Sequence, residues 1–394
     1  MNKFLLTSVA LAVAAVCGSA SAATVEISGK IDMGLNYTVK RTTGAKKPKD
    51  NGSEKVFQLI SGQNSTSSWQ LKGSENLANG WKVGFKLDSG FEADDGTLKG
   101  ERLFQREALI WLTTPYGEIG MGRCGVLDSG NGRYGLLDDD VTPYGTGWED
   151  IGDSRTVFLG QHTRTDNVIT YASPKFSGVQ LYAQASTKME NVEDEKNYWD
   201  LGSESVEGSS DANRYYGIGA KYEGGPVTAV ATVSRVDISK KIQAAQGDDG
   251  DSTTVTVAGA YDFGSWKLMA GAQYFDSGFG WKNYEVDVGD DEQKMKGWLN
   301  GKGYGVFVGT QAKVLGGKLY GMLGYADGET VGAYKDGNVK IGDDINIYQV
   351  ALGYEYKLSK RTHVYCAGGY NKGEYGDQYK TQLTQFMAGL VTKF

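Results

Sequence analysis

The residues with the most chemistry to weigh are carboxylates. Between positions 126 and 166 the chain carries Asp128, Asp138, Asp139, Asp140, Glu149, Asp150, Asp153 and Asp166, against Arg133, Arg155 and Arg164. The run Asp138-Asp139-Asp140 offers the hard oxygen ligands that Ca2+ takes, but it lacks the spacing of a dedicated calcium loop, so no structural metal is expected there. A solvated loop tip is the other reading of such a charge run. Acid–base or nucleophilic catalysis needs a positioned His or carboxylate pair, and the only histidines are His162 and His363, neither within a motif. His363 reads as a polar residue at a strand end beside a short turn. His162 lies in or beside the acidic segment, where an imidazole titrates near neutral pH. With no zinc-ligand spacing and no Gly-x-Ser-x-Gly elbow, neither an enzyme nor a bound cofactor is expected.

The elements that position these groups are strands of an exported chain. A basic start at Lys3, an apolar stretch from Phe4 to Val16 and the small residues Gly18 to Ala23 form a secretory leader, with cleavage expected after Ala22. Its apolar core falls short of the ~20 residues that span a bilayer. Residues 23–394 then read as one unit. With 57 Gly and 24 Tyr but only 5 Pro, the composition suits many strands joined by tight turns, with no proline-rich linker to divide it. No later segment is apolar for long enough to be a membrane helix. A net charge of −7 argues against a nucleic-acid partner. Cys17 leaves with the leader, and Cys124 and Cys366 remain, either bridged or as two free thiols.

From Thr24 to Lys40, Val25, Ile27, Gly29, Ile31, Met33, Leu35, Tyr37 and Val39 alternate with polar neighbours. Period two over that length means one long strand with an apolar and a polar face, longer than the five or six residues usual in a sandwich. The carboxyl end alternates as well, through Phe386, Ala388, Leu390 and Thr392 to Phe394. Between them the pattern predicts further strands, including one over Val56–Gly73 and a pair ending at Phe275 and resuming at Gly303, for sixteen in all. Short links such as Thr114–Gly117, Gly224-Gly225 and Gly316-Gly317 alternate with long polar ones such as Val126–Asp166, Asp276–Lys302 and Asp327–Asp344. An even strand number with long loops on one side and short turns on the other predicts a transmembrane β-barrel. Tyr37, Trp81, Tyr171, Tyr222, Tyr261, Trp266, Tyr354, Tyr356 and Phe394 fall near strand ends and suit aromatic girdles.

The most specific segments are Ser67-Ser68-Trp69-Gln70-Leu71-Lys72-Gly73, Gly80-Trp81-Lys82-Val83-Gly84-Phe85-Lys86-Leu87-Asp88 and Phe104-Gln105-Arg106-Glu107-Ala108. Through them, and over nearly all of this span, the sequence resembles the Gram-negative porins of β-proteobacterial type. Tyr116-Gly117-Glu118-Ile119-Gly120-Met121-Gly122-Arg123, Asp166-Asn167-Val168-Ile169-Thr170-Tyr171 and Leu352-Gly353-Tyr354-Glu355-Tyr356 extend it. Ser68 stands where the family often has Arg before the aromatic residue of the second strand, the next basic position holds Lys72, Glu107 replaces a residue usually neutral, and Cys124 follows Arg123 where the family often has Gln.

The resemblance implies a sixteen-stranded antiparallel barrel in the outer membrane, a homotrimer, whose third long loop, residues 126–166, folds inward and narrows the lumen. It implies passive passage of small hydrophilic solutes and contact with membrane lipid and lipopolysaccharide. It also gives Phe394 the role of the signal read by the barrel-assembly machinery. The acidic side of the constriction would be Asp128, Asp138, Asp139, Asp140, Glu149, Asp150 and Asp153. Facing it would stand Lys30, Lys72, Lys86, Arg106 and Arg123. Opposed walls of charge set selectivity in a wide pore, and with the basic side thinned a mild cation preference is expected. A substrate-specific channel on the same barrel would need an aromatic slide or dense basic track. An exported all-β binding protein or adhesin would be soluble without detergent.

Overall fold

The computed structural model describes residues 24–45, 51–148, 151–189, 206–209, 212–237, 251–287, 294–331, 339, 341–377 and 379–394. The expected leader, residues 1–22, and the candidates Glu149 and Asp150 lie outside the described residues.

The strands are β1 (Thr24–Thr43), β2 (Gly52–Ser61), β3 (Ser68–Asn76), β4 (Lys82–Gly90), β5 (Glu107–Thr114), β6 (Gly117–Gly125), β7 (Arg164–Ala172), β8 (Val179–Ser186) and β9 (Arg214–Gly224). They continue as β10 (Val227–Asp237), β11 (Ser252–Asp262), β12 (Trp266–Asp287), β13 (Lys294–Val314), β14 (Gly317–Thr330), β15 (Asp344–Lys357), β16 (Thr362–Tyr375) and β17 (Tyr379–Lys393). Each pairs antiparallel with its neighbours, and β17 returns to β1, with Lys30 opposite Lys393 and Thr43 opposite Lys380, so the sheet closes. β2 and β3 pair with successive parts of β1, Met33–Thr42 and Thr24–Lys30. They fill one place in the wall, and the seventeen segments make a sixteen-stranded barrel. Closure leaves no sheet edge along the membrane-spanning wall, which is what lets strands cross a bilayer.

The expected single strand Val56–Gly73 is therefore broken. Residues 62–67 leave the wall and turn into the lumen, starting at Gly62 with a φ of +77° that favours glycine. The long loop expected over Asp276–Lys302 is also shorter than read. β12 and β13 run on as a paired hairpin to Asp287 and from Lys294, with register shifts between Phe275 and Gly278 and between Phe279 and Asn283.

Apolar side chains point outward. On β1, Val25, Ile27, Ile31, Leu35 and Tyr37 are exposed, whereas Asp32, Asn36 and Thr38 are buried on the inner face. Trp81, Tyr171, Tyr222, Tyr261, Trp266, Tyr356 and Phe394 ring the outside near the short turns, and Tyr37, Tyr216, Tyr274, Tyr304 and Tyr348 form a belt toward the long loops. These are the girdles of a membrane barrel. The last residue completes closure: Phe394 donates its N–H to Gly29 O at 3.0 Å and accepts at its own carbonyl from Gly29 N–H at 3.1 Å. A Cβ on Gly29 would come within 2.4 Å of the Phe394 ring, so glycine is what lets that ring lie flat on the wall. Cys124 is buried and Cys366 is exposed, both as free thiols.

Candidate constriction of the lumen

The inner wall is not uniformly polar. Leu109 and Trp111 on β5 and Met269, Phe307, Met322, Ile347 and Tyr365 on β12 to β16 face inward and are buried. The segment between β6 and β7 covers them. Its Leu127 and Tyr134 pack with Leu109 and Trp111. Its Leu136, Leu137, Val141, Tyr144, Trp148, Ile151, Val157 and Phe158 pack on the opposite wall. A loop carrying so much apolar area is held inside the barrel by the hydrophobic effect. The third long loop is thus folded inward, as the resemblance implied. Tyr144, Trp148 and Tyr320 form a ring cluster at its far end, with centroids 5.0–5.7 Å apart.

Polar staples fix its roots. Arg133 lies 4.0 Å over the Trp111 ring and donates from Nε and Nη2 to the two carboxylate oxygens of Glu118, both at 2.6 Å. Asp128 is fully buried. It accepts from Tyr215 Oη at 3.0 Å and Ser234 Oγ at 2.8 Å, with His162 Nδ1 3.0 Å away. Burial alone would raise its carboxyl, but the charge and hydrogen bond of His162 and the hydroxyls of Ser234 and Tyr215 outweigh that and hold it below the ordinary value. Asp128 is therefore not a lumen-facing acid. It is the anchor of the loop's first arm, and His162 is its partner.

A second element narrows the lumen, and sequence reasoning missed it. Asp32 on β1 accepts from the backbone N–H of Asn64 at 2.7 Å and of Ser65 at 2.8 Å through one carboxylate oxygen, and from Tyr365 Oη at 2.8 Å through the other. These bonds hold residues 62–67 inside the barrel. The bulge touches the loop where Trp148 N–H donates to Asn64 O. Its Asn64 Oδ1 also lies 3.1 Å from His363 Nε2, and Lys30 donates to Ser65 Oγ.

Between bulge and loop tip lies a cavity of about 250 Å3. Lys30, Arg106 and Lys393 line it from the wall, facing Asp138 and Asp139 from the loop. The opposition of basic wall and acidic loop is present, but with a different membership. Asp138 and Asp140 share Lys221 Nζ, at 3.5 and 3.0 Å. Asp153 is spent on Arg155, whose Nη2 lies 2.6 Å away. On the basic side Lys86 pairs with Glu107 at 2.7 Å and Asp88 at 3.3 Å. Lys72 stands opposite Lys86 on β3, outside this cavity. Arg123 is buried, donating to Gln105 O and to Asp166, so it braces the wall and does not face solute. Lys30 and Arg106 are the expected cations that face the loop, Arg106 with its Nε 3.3 Å from Asp88. Lys393 was missed, though its parity with Val391 on the last strand places it inward.

Asp138 titrates in an accessible range. Burial at the loop tip raises its carboxyl to about 6, with Lys221 opposing the rise and Asp140 adding to it. It is charged above that pH and loses its charge as pH falls through it. Acidification from pH 7 to 5 is expected to shift the reversal potential in a salt gradient toward anions, and Asp138→Asn to abolish that shift. A shift of equal size in the variant would assign it elsewhere.

Comparison with known proteins agrees with this architecture. A family model described as Gram-negative porin matches residues 7–376. An outer membrane porin protein of Bordetella pertussis is 29% identical over 379 residues, covering 92% of this chain and 93% of that protein. Among solved structures, an anion-selective porin from Comamonas acidovorans superposes with a TM-score of 0.61 at 21% identity, over 95% of this chain and all of that one. OmpT of Vibrio cholerae, in its trimer form, gives 0.57 at 16% identity, over 95% of this chain and all of that one.

Proposed function

The chain belongs to the Gram-negative porin family, whose barrels are diffusion channels of the outer membrane, and we propose that this channel leans toward anions. The observation that carries the proposal is the unequal fate of the two signs of charge. Asp128 is buried, Asp140 and Asp153 are held by cations, and Asp166 is bridged by Arg102 and Arg123 at 2.6 and 2.8 Å. Lys30, Lys318, Lys357 and Lys393 form no ion pair among the described residues. The first four carboxylates add little net field and the lysines keep theirs. A mild cation preference has no support in this arrangement. The constriction residues we assign to solute contact are Lys30, Arg106, Lys393, Asp138 and Asp139.

Three parts of the reading rest on likeness and sequence. Residues 1–22 act as the export leader, Phe394 as the assembly signal, and three copies associate, as in the OmpT trimer. Lipid, lipopolysaccharide and the assembly machinery are the partners such a barrel meets.

The deciding experiment is the reversal potential of the purified protein in a planar bilayer under a tenfold KCl gradient. A potential of the anion-permeable sign is expected. A cation-permeable sign would overturn the proposal, and saturable block by one neutral solute would favour a substrate-specific channel.

A further inference from the structure

Like charges face each other at two places on the inner wall. Lys313 on β13 stands opposite Lys318 on β14, and Lys30 on β1 stands opposite Lys393 on β17. Directly opposed like charges destabilise a sheet. None of the four has a carboxylate within ion-pair distance among the described residues. Between the two pairs, at the short-turn mouth, lies a cavity of about 380 Å3 lined by Lys313, Lys318, Lys357, Arg361 and Lys393. Its one lining carboxylate, Glu355, is already engaged. Its Oε2 accepts from Tyr320 Oη at 2.5 Å and its Oε1 lies 3.0 Å from His363 Nε2. With Lys360, which also lines the cavity, six cations around one occupied acid leave the repulsion uncompensated.

We propose that this cavity is a binding site for small anions carrying two or more charges, phosphate- or carboxylate-bearing, seated between Lys318, Lys357 and Lys393. A singly charged ion relieves one lysine. A dianion reaches lysines on separate strands and relieves repulsion across the cavity, which the compact, flexible ammonium groups allow without a fixed bidentate geometry. Because short turns face the periplasm in such barrels, the site belongs to the periplasmic mouth, below the constriction. Anions that pass the loop from outside meet it last. This assignment rests on the channel reading above.

Inorganic pyrophosphate is the probe, added to one chamber at a time of a planar bilayer holding the full-length channel. Orientation is fixed by a biotin-acceptor peptide inserted at Asp95 in the β4–β5 loop and capped with streptavidin. Brief interruptions of the chloride current are expected from the short-turn side at about tenfold lower probe concentration than from the long-loop side. Lys318→Gln/Lys357→Gln should erase the difference between sides, Lys318→Arg/Lys357→Arg should keep it, and Arg235→Gln, on the far rim, should keep it too. Equal block from both sides, or sidedness that survives the double Gln replacement, overturns the site while leaving the channel intact. Folded protein that passes no current overturns the channel reading and the site with it.

Discussion

Replacing Asp128 with alanine is expected to widen the channel. The carboxylate is fully buried and takes hydrogen bonds from Tyr215 and Ser234, with His162 beside it. Removing one partner of a buried charged cluster costs ~3–5 kcal/mol, and here that cost falls on the docking of the loop's first arm, since Tyr215 and Ser234 sit on closed strands. The apolar contacts of Tyr144, Trp148 and Phe158 remain, so the barrel stays folded while the arm between Val126 and Arg133 loosens. Single-channel conductance should rise and become noisy, and trypsin should cut at Arg133 in the folded protein. Asp128→Asn keeps one acceptor oxygen and should fall between the two. Wild-type conductance together with full protease resistance in the alanine variant would show that the anchor is dispensable.

Two acids of the same loop respond to pH with opposite sign. Asp138 is raised to about 6, so the folded loop takes up its proton before the unfolded chain does, and docking strengthens as pH falls through that window. Asp128 is depressed, so its contribution is complete above the ordinary carboxylate value of ~3.9 and is lost as pH falls below it toward the folded value. Between pH 7 and 5 selectivity changes with the loop in place. Release of the loop belongs to stronger acid.

The barrel was legible because its logic is local. Period-two alternation in Thr24–Lys40 sets inside and outside residue by residue, and the observed burial of Asp32, Asn36 and Thr38 follows that parity. Short turns and long loops alternate along the sequence because antiparallel strands must. The site was only partly legible, because the fate of each charge is decided by partners far along the chain. Asp140 meets Lys221 and Asp128 meets Ser234, 81 and 106 residues away. Counting acids in the loop therefore overlooked which of them are held by cations. The bulge at 62–67 carried a trace in the sequence: Gly62-Gln63-Asn64-Ser65-Thr66-Ser67 has no apolar residue to face lipid. A strand crossing a membrane cannot sustain that, whereas a segment turned into the lumen can.

That bulge gives the last prediction its size. Asp32→Ala leaves the backbone N–H groups of Asn64 and Ser65 without their acceptor and Tyr365 Oη without its own. Each buried donor left unsatisfied costs ~1–3 kcal/mol, more than a six-residue turn without apolar side chains can recover. The bulge should swing away, taking Ser65 from Lys30 and Asn64 O from the Trp148 backbone. Conductance should rise, and the anion preference should fall as Lys30 loses its fixed place beside the loop tip. Asp32→Asn separates this from a general loss of folding. Its remaining oxygen can accept from the two N–H groups while its amide donates to Tyr365, whose hydroxyl accepts as readily as it donates. Near-normal currents in the asparagine variant and wide, less selective ones in the alanine variant would place the bulge alongside the long loop as a wall of the constriction. Identical currents in all three proteins would leave the long loop as the sole element that sets the width.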